Sequence, residues 1–213
     1  MLRKQVELNK TSMNEREVKK QLDKKRFQHT VAVSYLAAAM AMCHGYDIEK
    51  ARLAGLLHDA AKCIPPERKI YLCNKYNIQM TEVERSYPAL LHAKLGAFLA
   101  MKKYNVHDDE IISAILNHTT GKPDMGVLDK IIYIADYIEP NRRRAPRLPE
   151  IRQMAFRDMD RALVMILEDT LQFLKDNNGA VDPITQKTYD YYIGQQYGGN
   201  HGDNIDTNVK TRV

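Results

Sequence analysis

An all-α fold is predicted by three features of this chain of 213 residues. Apolar residues recur at three- and four-residue spacing, the period of a helix with one buried face. Glycine and proline breakers separate the periodic stretches. No stretch alternates apolar and polar residues for long enough to read as a strand, and Tyr191-Tyr192-Ile193 reads equally well as a helix end.

Taken in order, helical segments are expected near residues 14–43, 48–61, 66–77, 88–104, 108–118, 126–139, 158–178 and 183–193. The first contains HTVAVSYLAAAMA, and Gly45 follows it. The second holds LAGLLHDAAK and stops before Pro65-Pro66. Pro88 stands at the start of PALLHAKLGAFLA, where a helix tolerates proline. IISAILNH gives way to Gly121 and Pro123, and DKIIYIADYIEP ends at Pro140. There is no internal repeat. Residues 1–193 are expected to form a single domain, and the polar, Gly-rich GQQYGGNHGDNIDTNVKTRV (194–213) a disordered tail.

Composition narrows the classes of function. Hydrophobic residues make up 44% and charged residues 28%, as in an ordinary globular protein. No window of about 18 uninterrupted apolar residues reads as a membrane span. The N-terminal MLRKQVELNK lacks the apolar core of a signal peptide. Cys43, Cys63 and Cys73 have no CxxC spacing and suit free thiols in a cytoplasmic setting. The net charge of +5 is spread along the chain apart from KKQLDKKR (19–26) and NRRR (141–144), so small anionic substrates are expected rather than polymeric nucleic acid.

The chemistry lies where polar side chains interrupt apolar windows. His58 and Asp59 break a Leu- and Ala-rich run, and His29, His92 and His118 lie within or at the edge of core-type helices. Asp136 is flanked by Ile131, Ile132, Ile134 and Ile138. His44, His107 and His201 fall in polar turns or the tail. One histidine on an apolar face is more often a satisfied core residue than a ligand. Four of them, with two aspartates, in one helical domain point to a shared metal site, because unpaired buried polar groups are costly. Imidazole and carboxylate together suit divalent iron, manganese, cobalt or zinc.

The order His29, His58-Asp59, His92, His118, Asp136 resembles the HD-domain metal-dependent phosphohydrolases. Four stretches are similar to the YqeK-like branch of symmetrical diadenosine tetraphosphate hydrolases: KRFQHT (25–30), GLLHDAAK (55–62), NHTTG (117–121) and DKIIYIADYIEPNR (129–142). The resemblance implies an HD-domain helical bundle with a binuclear metal site, two divalent ions, iron first among them, and a dinucleoside polyphosphate cut to ADP or GDP by metal-activated water. His29, His58, Asp59 and Asp136 would hold the first ion; His92 and His118 would hold the second, with Asp59 bridging. His58, Asp59 and Lys62 are the implied catalytic residues. Arg26, Asp59, Lys62, His118, Thr119 and Arg142 are the implied substrate contacts, with Arg26 on the helical wall of His29 and Lys62 one turn beyond His58. Lys62 also reads as a cation at a helix C-terminus, and Arg142 as part of a solvated loop.

Two alternatives stay open: a general HD nucleotidase acting on monomeric nucleotides, and a regulatory HD module that binds nucleotide without turnover. A cyclic-dinucleotide phosphodiesterase is disfavoured because Ala60-Ala61-Lys62 follows the HD pair where GYP would stand. The chain also departs from the family near its end, reading VDPIT (181–185) with Asp182 in place of the usual histidine. Whether the chain is a monomer or a dimer is left open by the sequence.

Overall fold

The computed structural model describes residues 14–198, with side chains through residue 195. Among these, every regular element is helical. The order is α1 (14–21), α2 (Lys24–Cys43), α3 (Ile48–Leu57), α4 (Pro66–Lys75), α5 (Glu82–Ser86), a 3-10 turn (Pro88–Leu91), α6 (His92–Lys102), α7 (Asp109–Asn117), α8 (Val127–Ile138), α9 (Leu148–Met154), α10 (Met159–Asp176) and α11 (Pro183–Gly198).

The ends of these helices follow from their caps. Asp23 leaves the helical conformation at φ −65° and ψ 164°, and its carboxylate accepts from the Arg26 N–H. The segment expected to be continuous over 14–43 is therefore broken at residues 22–23, and Asp23 aims α2 afresh. Asp47, Asp108 and Asp158 open α3, α7 and α10 in the same way. The α3 helix stops at Leu57, four residues short of the expected end, and the chain continues through a turn over residues 58–63. Two short helices, α5 and α9, were not anticipated from periodicity. A capping box between Thr81 and Glu84 sets α5, and α9 is held by burial of Leu148 and Ile151. The last helix runs past residue 193 to Gly198; residues 199–213 of the expected tail, His201 among them, and residues 1–13 lie outside the described residues.

Helix α8 forms the centre. Leu128, Ile131, Ile132, Tyr133, Ile134, Ala135 and Ile138 are all buried, and the helix packs against α2, α3, α7, α9 and α10. Its buried side chains join the main core, where removal of apolar surface from water contributes roughly 25 cal/mol per Å². Asp136 lies in its last turn.

The crossing of α2 and α3 is unusually close. A β-carbon on Gly55 would lie 2.8 Å from the Ser34 Cα, so only glycine lets the backbones meet here. Ser34 Oγ then donates to the Arg52 carbonyl at 2.8 Å. This approach carries His58, at the C-terminal end of α3, toward His29 on α2, with ring centroids 5.4 Å apart.

Candidate metal centre

Five elements converge on one cluster. His29 comes from α2, His58 and Asp59 from the end of α3 and the turn after it, His92 from the start of α6, His118 from the end of α7, and Asp136 from α8. His58, His92 and His118 share a local device. Each directs Nδ1 to the backbone carbonyl three residues earlier: His58 to Gly55 at 2.7 Å, His92 to Ala89 at 2.6 Å, and His118 to Ile115 at 2.7 Å. A carbonyl can only accept, so Nδ1 carries the proton in all three rings, an assignment made from the hydrogen-bond network. The bare Nε2 lone pairs point inward.

The six side chains form overlapping sets. One ligand atom from each of His29, His58 and Asp59 lies within 4.8 Å of the others, and the same holds for His58, His118 and Asp136, and for Asp59, His92 and His118. Asp59 joins two of the sets through different oxygens. Its Oδ2 lies 3.7 Å from His58 Nε2 and 3.9 Å from His29 Nε2, while Oδ1 lies 3.4 Å from His92 Nε2 and 3.5 Å from His118 Nε2. Asp136 Oδ1 is 3.0 Å from His29 Nε2 and 4.0 Å from His58 Nε2.

The donor set fits divalent metal. His58 Nε2 and Asp59 Oδ1 are buried without a hydrogen-bond partner. His92 Nε2 and His118 Nε2 face each other at 3.1 Å, an arrangement of two acceptors that a cation relieves. Donor atoms bound to one ion at about 2.1 Å lie roughly 3–3.5 Å from one another, close to several of these spacings. The set is imidazole and carboxylate with no thiolate, the chemistry of iron, manganese, cobalt and zinc.

Protonation follows burial and neighbouring charge. Burial pushes His58 down to about 4, against the pull of the Asp59 and Asp136 carboxylates. His92 is also held well below its ordinary value by burial, with His118 and Lys62 adding to it. Burial pulls His29 down, but its contact with Asp136 and the charge of Asp59 lift it above the usual imidazole range. Burial opposes ionisation of Asp59, and His58, His118 and Lys62 together overcome it, so the carboxyl stays well below its usual range. Asp136 is likewise lowered, burial being outweighed by His29 and His58.

The family model described as HD domain matches residues 26–141, the stretch that contains all six of these side chains. This chain belongs to the HD-domain family.

Similar proteins cover most of this HD-domain chain. It is 38% identical to the "Bis(5'-nucleosyl)-tetraphosphatase, symmetrical" of Bacillus subtilis over 83% of this chain and 94% of that one. It is 35% identical to the protein of the same description from Halalkalibacterium halodurans, over 84% and 95%. A crystal structure described as a predicted HD superfamily hydrolase involved in NAD metabolism, from Clostridium acetobutylicum, superposes with a TM-score of 0.83 at 36% identity, covering 86% of this chain and 97% of that one.

Around the HD-domain cluster stand the cationic and hydroxyl groups singled out in the sequence. Arg26 Nη1 donates to Asp59 Oδ2 at 2.8 Å, so its guanidinium rests on this carboxylate. Lys62 Nζ is 3.5 Å from the other oxygen, Oδ1, and donates to His92 Nε2 at 3.0 Å. Thr119 Oγ1 lies 3.2 Å from His92 Nε2 and 3.1 Å from His118 Nε2. Arg142 Nη2 donates to the Asp136 carbonyl at 3.1 Å, and its guanidinium stacks 5.2 Å from the Tyr137 ring centroid. Arg142 separates two openings. A cleft of about 540 Å³ is lined by Lys25, Arg26, His29 and Glu139 among others, and a pocket of about 110 Å³ by Lys62, His118, Thr119, Tyr133 and Thr170 among others. His44 and His107 lie elsewhere, their Nε2 atoms engaged by the Ala155 carbonyl and Asn105 Oδ1.

Several contributors escaped the sequence reading. Glu139 is buried with Oε1 3.5 Å from His29 Nδ1, a carboxylate placed to orient that ring, and its other oxygen accepts from the Asn141 N–H at 2.7 Å. It lies three residues after Asp136, a helical spacing that could have flagged it. Arg152 of α9 donates to the carbonyls of Ile138, Glu139 and Arg142, so the unanticipated helix fixes the loop that carries Arg142. Asp182 stands at the start of α11 and accepts from the Ile184 N–H at 3.0 Å, a helix-capping contact that a carboxylate serves well. That helix then braces the His118 loop. Thr188 packs so tightly on Gly121, at φ +68°, that a β-carbon there would lie 2.8 Å from its methyl group, and the Tyr192 hydroxyl accepts from the Met125 N–H.

Proposed function

We propose that this protein is a metal-dependent hydrolase that cleaves diadenosine tetraphosphate symmetrically to two ADP. The observation that carries the reading is the Asp59 carboxylate, whose two oxygens face two separate imidazole sets and are each approached by a different cation, Arg26 and Lys62. Similarity over most of the chain to proteins described as symmetrical bis(5'-nucleosyl)-tetraphosphatases supports the choice of substrate.

In this reading His29, His58, Asp59 and Asp136 hold one divalent ion, and Asp59, His92 and His118 hold a second. Iron is the proposed metal and the cytoplasm the proposed setting. Ions bound there lower the pKa of water into the neutral range and neutralise phosphoryl charge. The remaining work falls to the chain itself. His58 and His92 are kept neutral by burial, so they act as ligands rather than as competing cations. Arg26 and Lys62 flank the cluster and stabilise charge that spreads over the phosphoryl oxygens. Arg142, between the two openings, contacts the outer phosphates of one ADP half and places the phosphorus next to the central bridging oxygen at the cluster. ADP is a good leaving group, so the chain needs no strong acid beside the bond that breaks.

The test is turnover by metal-loaded protein supplied with diadenosine tetraphosphate, diadenosine triphosphate and ATP in parallel. Preference for the tetraphosphate supports the reading, and rapid phosphate release from ATP points instead to a general nucleotidase.

A further inference from the structure

The turn that carries His58, Asp59 and Lys62 is closed by bonds of one kind. Ala60 N donates to the Leu57 carbonyl at 3.1 Å, Lys62 N to Asp59 at 2.9 Å, and Ile64 N to Ala61 at 3.3 Å, each three residues back. The Lys62 carbonyl is next in line as an acceptor. Its donors three and four residues ahead would be Pro65 and Pro66, and neither has an N–H. A side chain takes their place. Lys69, on the first turn of α4, donates from Nζ to the Lys62 carbonyl at 3.4 Å.

Lys69 is only 4% exposed, although its neighbours Glu67 and Arg68 on the same helix face solvent. Burying an ammonium costs free energy unless something is gained, and lysine is among the residues least often buried. Burial and the nearby Lys62 charge press its pKa down, while Asp59 opposes them. Among the described residues, the Lys62 carbonyl is the hydrogen-bond acceptor of this ammonium.

We propose that Lys69 is a positioning residue: by holding the Lys62 carbonyl in place of the N–H groups that Pro65 and Pro66 lack, it fixes the turn that sets the Lys62 ammonium beside Asp59 and His92. The proposal rests on the reading of Lys62 as a phosphate contact. It assigns the proline pair and the buried lysine to one device, which replaces a backbone bond with a longer tether from the next helix.

A double-mutant cycle tests it, because a residue that acts through Lys62 loses its effect once the Lys62 side chain is gone. Lys69→Met, Lys62→Ala and the double variant are compared with the parent in kcat/KM on diadenosine tetraphosphate and, separately, in the affinity of the metal-loaded proteins for inorganic pyrophosphate. Lys69→Met should lower kcat/KM by about 10- to 100-fold, the scale of a misplacement near the reacting atoms. In the Lys62→Ala background the same change should cost less than about twofold. Lys69→Arg, which keeps a donor in reach, should retain most activity. Equal losses in both backgrounds, or none in either, overturn the proposal. If the parent cleaves no dinucleotide but pyrophosphate affinity shows the same coupling, the substrate assignment fails and the role of Lys69 stands. Additive losses of pyrophosphate affinity overturn that role.

Discussion

His92 and His118 face one another Nε2 to Nε2 across 3.1 Å, each with its Nδ1 proton committed to a backbone carbonyl. Two lone pairs so placed repel unless a cation lies within reach of both. Lys62 and Thr119 share the job with their own donors, at 3.0 Å and 3.2 Å from His92 Nε2. A divalent ion would do it better, because Asp59 Oδ1, 3.4 Å from His92 Nε2 and 3.5 Å from His118 Nε2, would serve as a further ligand.

Metal stoichiometry follows from this arrangement. Elemental analysis after anaerobic, metal-replete purification should find two ions per chain in the parent and about one in His92→Ala, with circular dichroism unchanged. His92 is chosen because it belongs to only one of the sets, whereas His58 and His118 belong to two. The same metal content in both proteins would contradict the arrangement.

Acid should destabilise the metal-stripped protein in a defined window. His58 titrates near 4 in the folded chain against about 6.5 when unfolded. Its folded value is depressed, so its contribution is present above about pH 6.5 and lost as pH falls toward 4. For His58 alone the loss is about 3 kcal/mol, at about 1.4 kcal/mol per unit. His92 acts in the same direction. The raised His29 acts in the opposite one, its contribution being present below its unfolded value and lost as pH rises. Asp59 and Asp136, both lowered, add their own losses only below about pH 4. Urea midpoints measured on chelated protein should fall between pH 7 and 4.5, and a flat profile would contradict the assignment of neutral, buried imidazoles.

The α2–α3 crossing makes Gly55 sensitive. In Gly55→Ala the new methyl group meets backbone at Ser34 rather than a movable side chain, so the helices must separate. Overpacking of this kind costs about 1–3 kcal/mol. Separation also moves His58 away from His29, so metal affinity should fall together with the melting temperature. A variant with the parent's metal affinity and melting temperature would show that the crossing does not set the site.

Arg142 should act on binding more than on folding. Its guanidinium donates to the Asp136 carbonyl, lies 3.6 Å from Asp136 Oδ1 and stacks over Tyr137, all at the edge of the cluster and none of them a contact of the apolar core. A hydrogen bond to a charged group contributes about 1.5–3 kcal/mol, so Arg142→Ala should raise KM by about tenfold or more with helical content unchanged. An unaltered KM would return Arg142 to the role of a loop residue.

Much of this was legible in the sequence because burial leaves a periodic trace. Helices α8 and α10 show it, and His29, His58, Asp59, His92, His118 and Asp136 stood out as polar residues in apolar company. The helix break at Asp23 was obscured by the surrounding run of charges, although Asp23 is itself a good capping residue. The α9 helix has two buried side chains, Leu148 and Ile151, too few to establish a period. Glu139 and Lys69 were missed for a different reason. Charged residues at a helix end or on a surface helix are solvated by default, and only tertiary contacts reveal that these two are buried.

Symmetrical, metal-dependent cleavage is tested most directly by resolving the early products of diadenosine tetraphosphate hydrolysis in ¹⁸O-enriched water, with metal-loaded and chelated protein side by side. The metal-loaded protein should yield ADP as the only nucleotide, with one label shared between each pair of ADP molecules, and the chelated protein should be inactive. ATP and AMP in equal amounts, or undiminished turnover after chelation, would contradict the account.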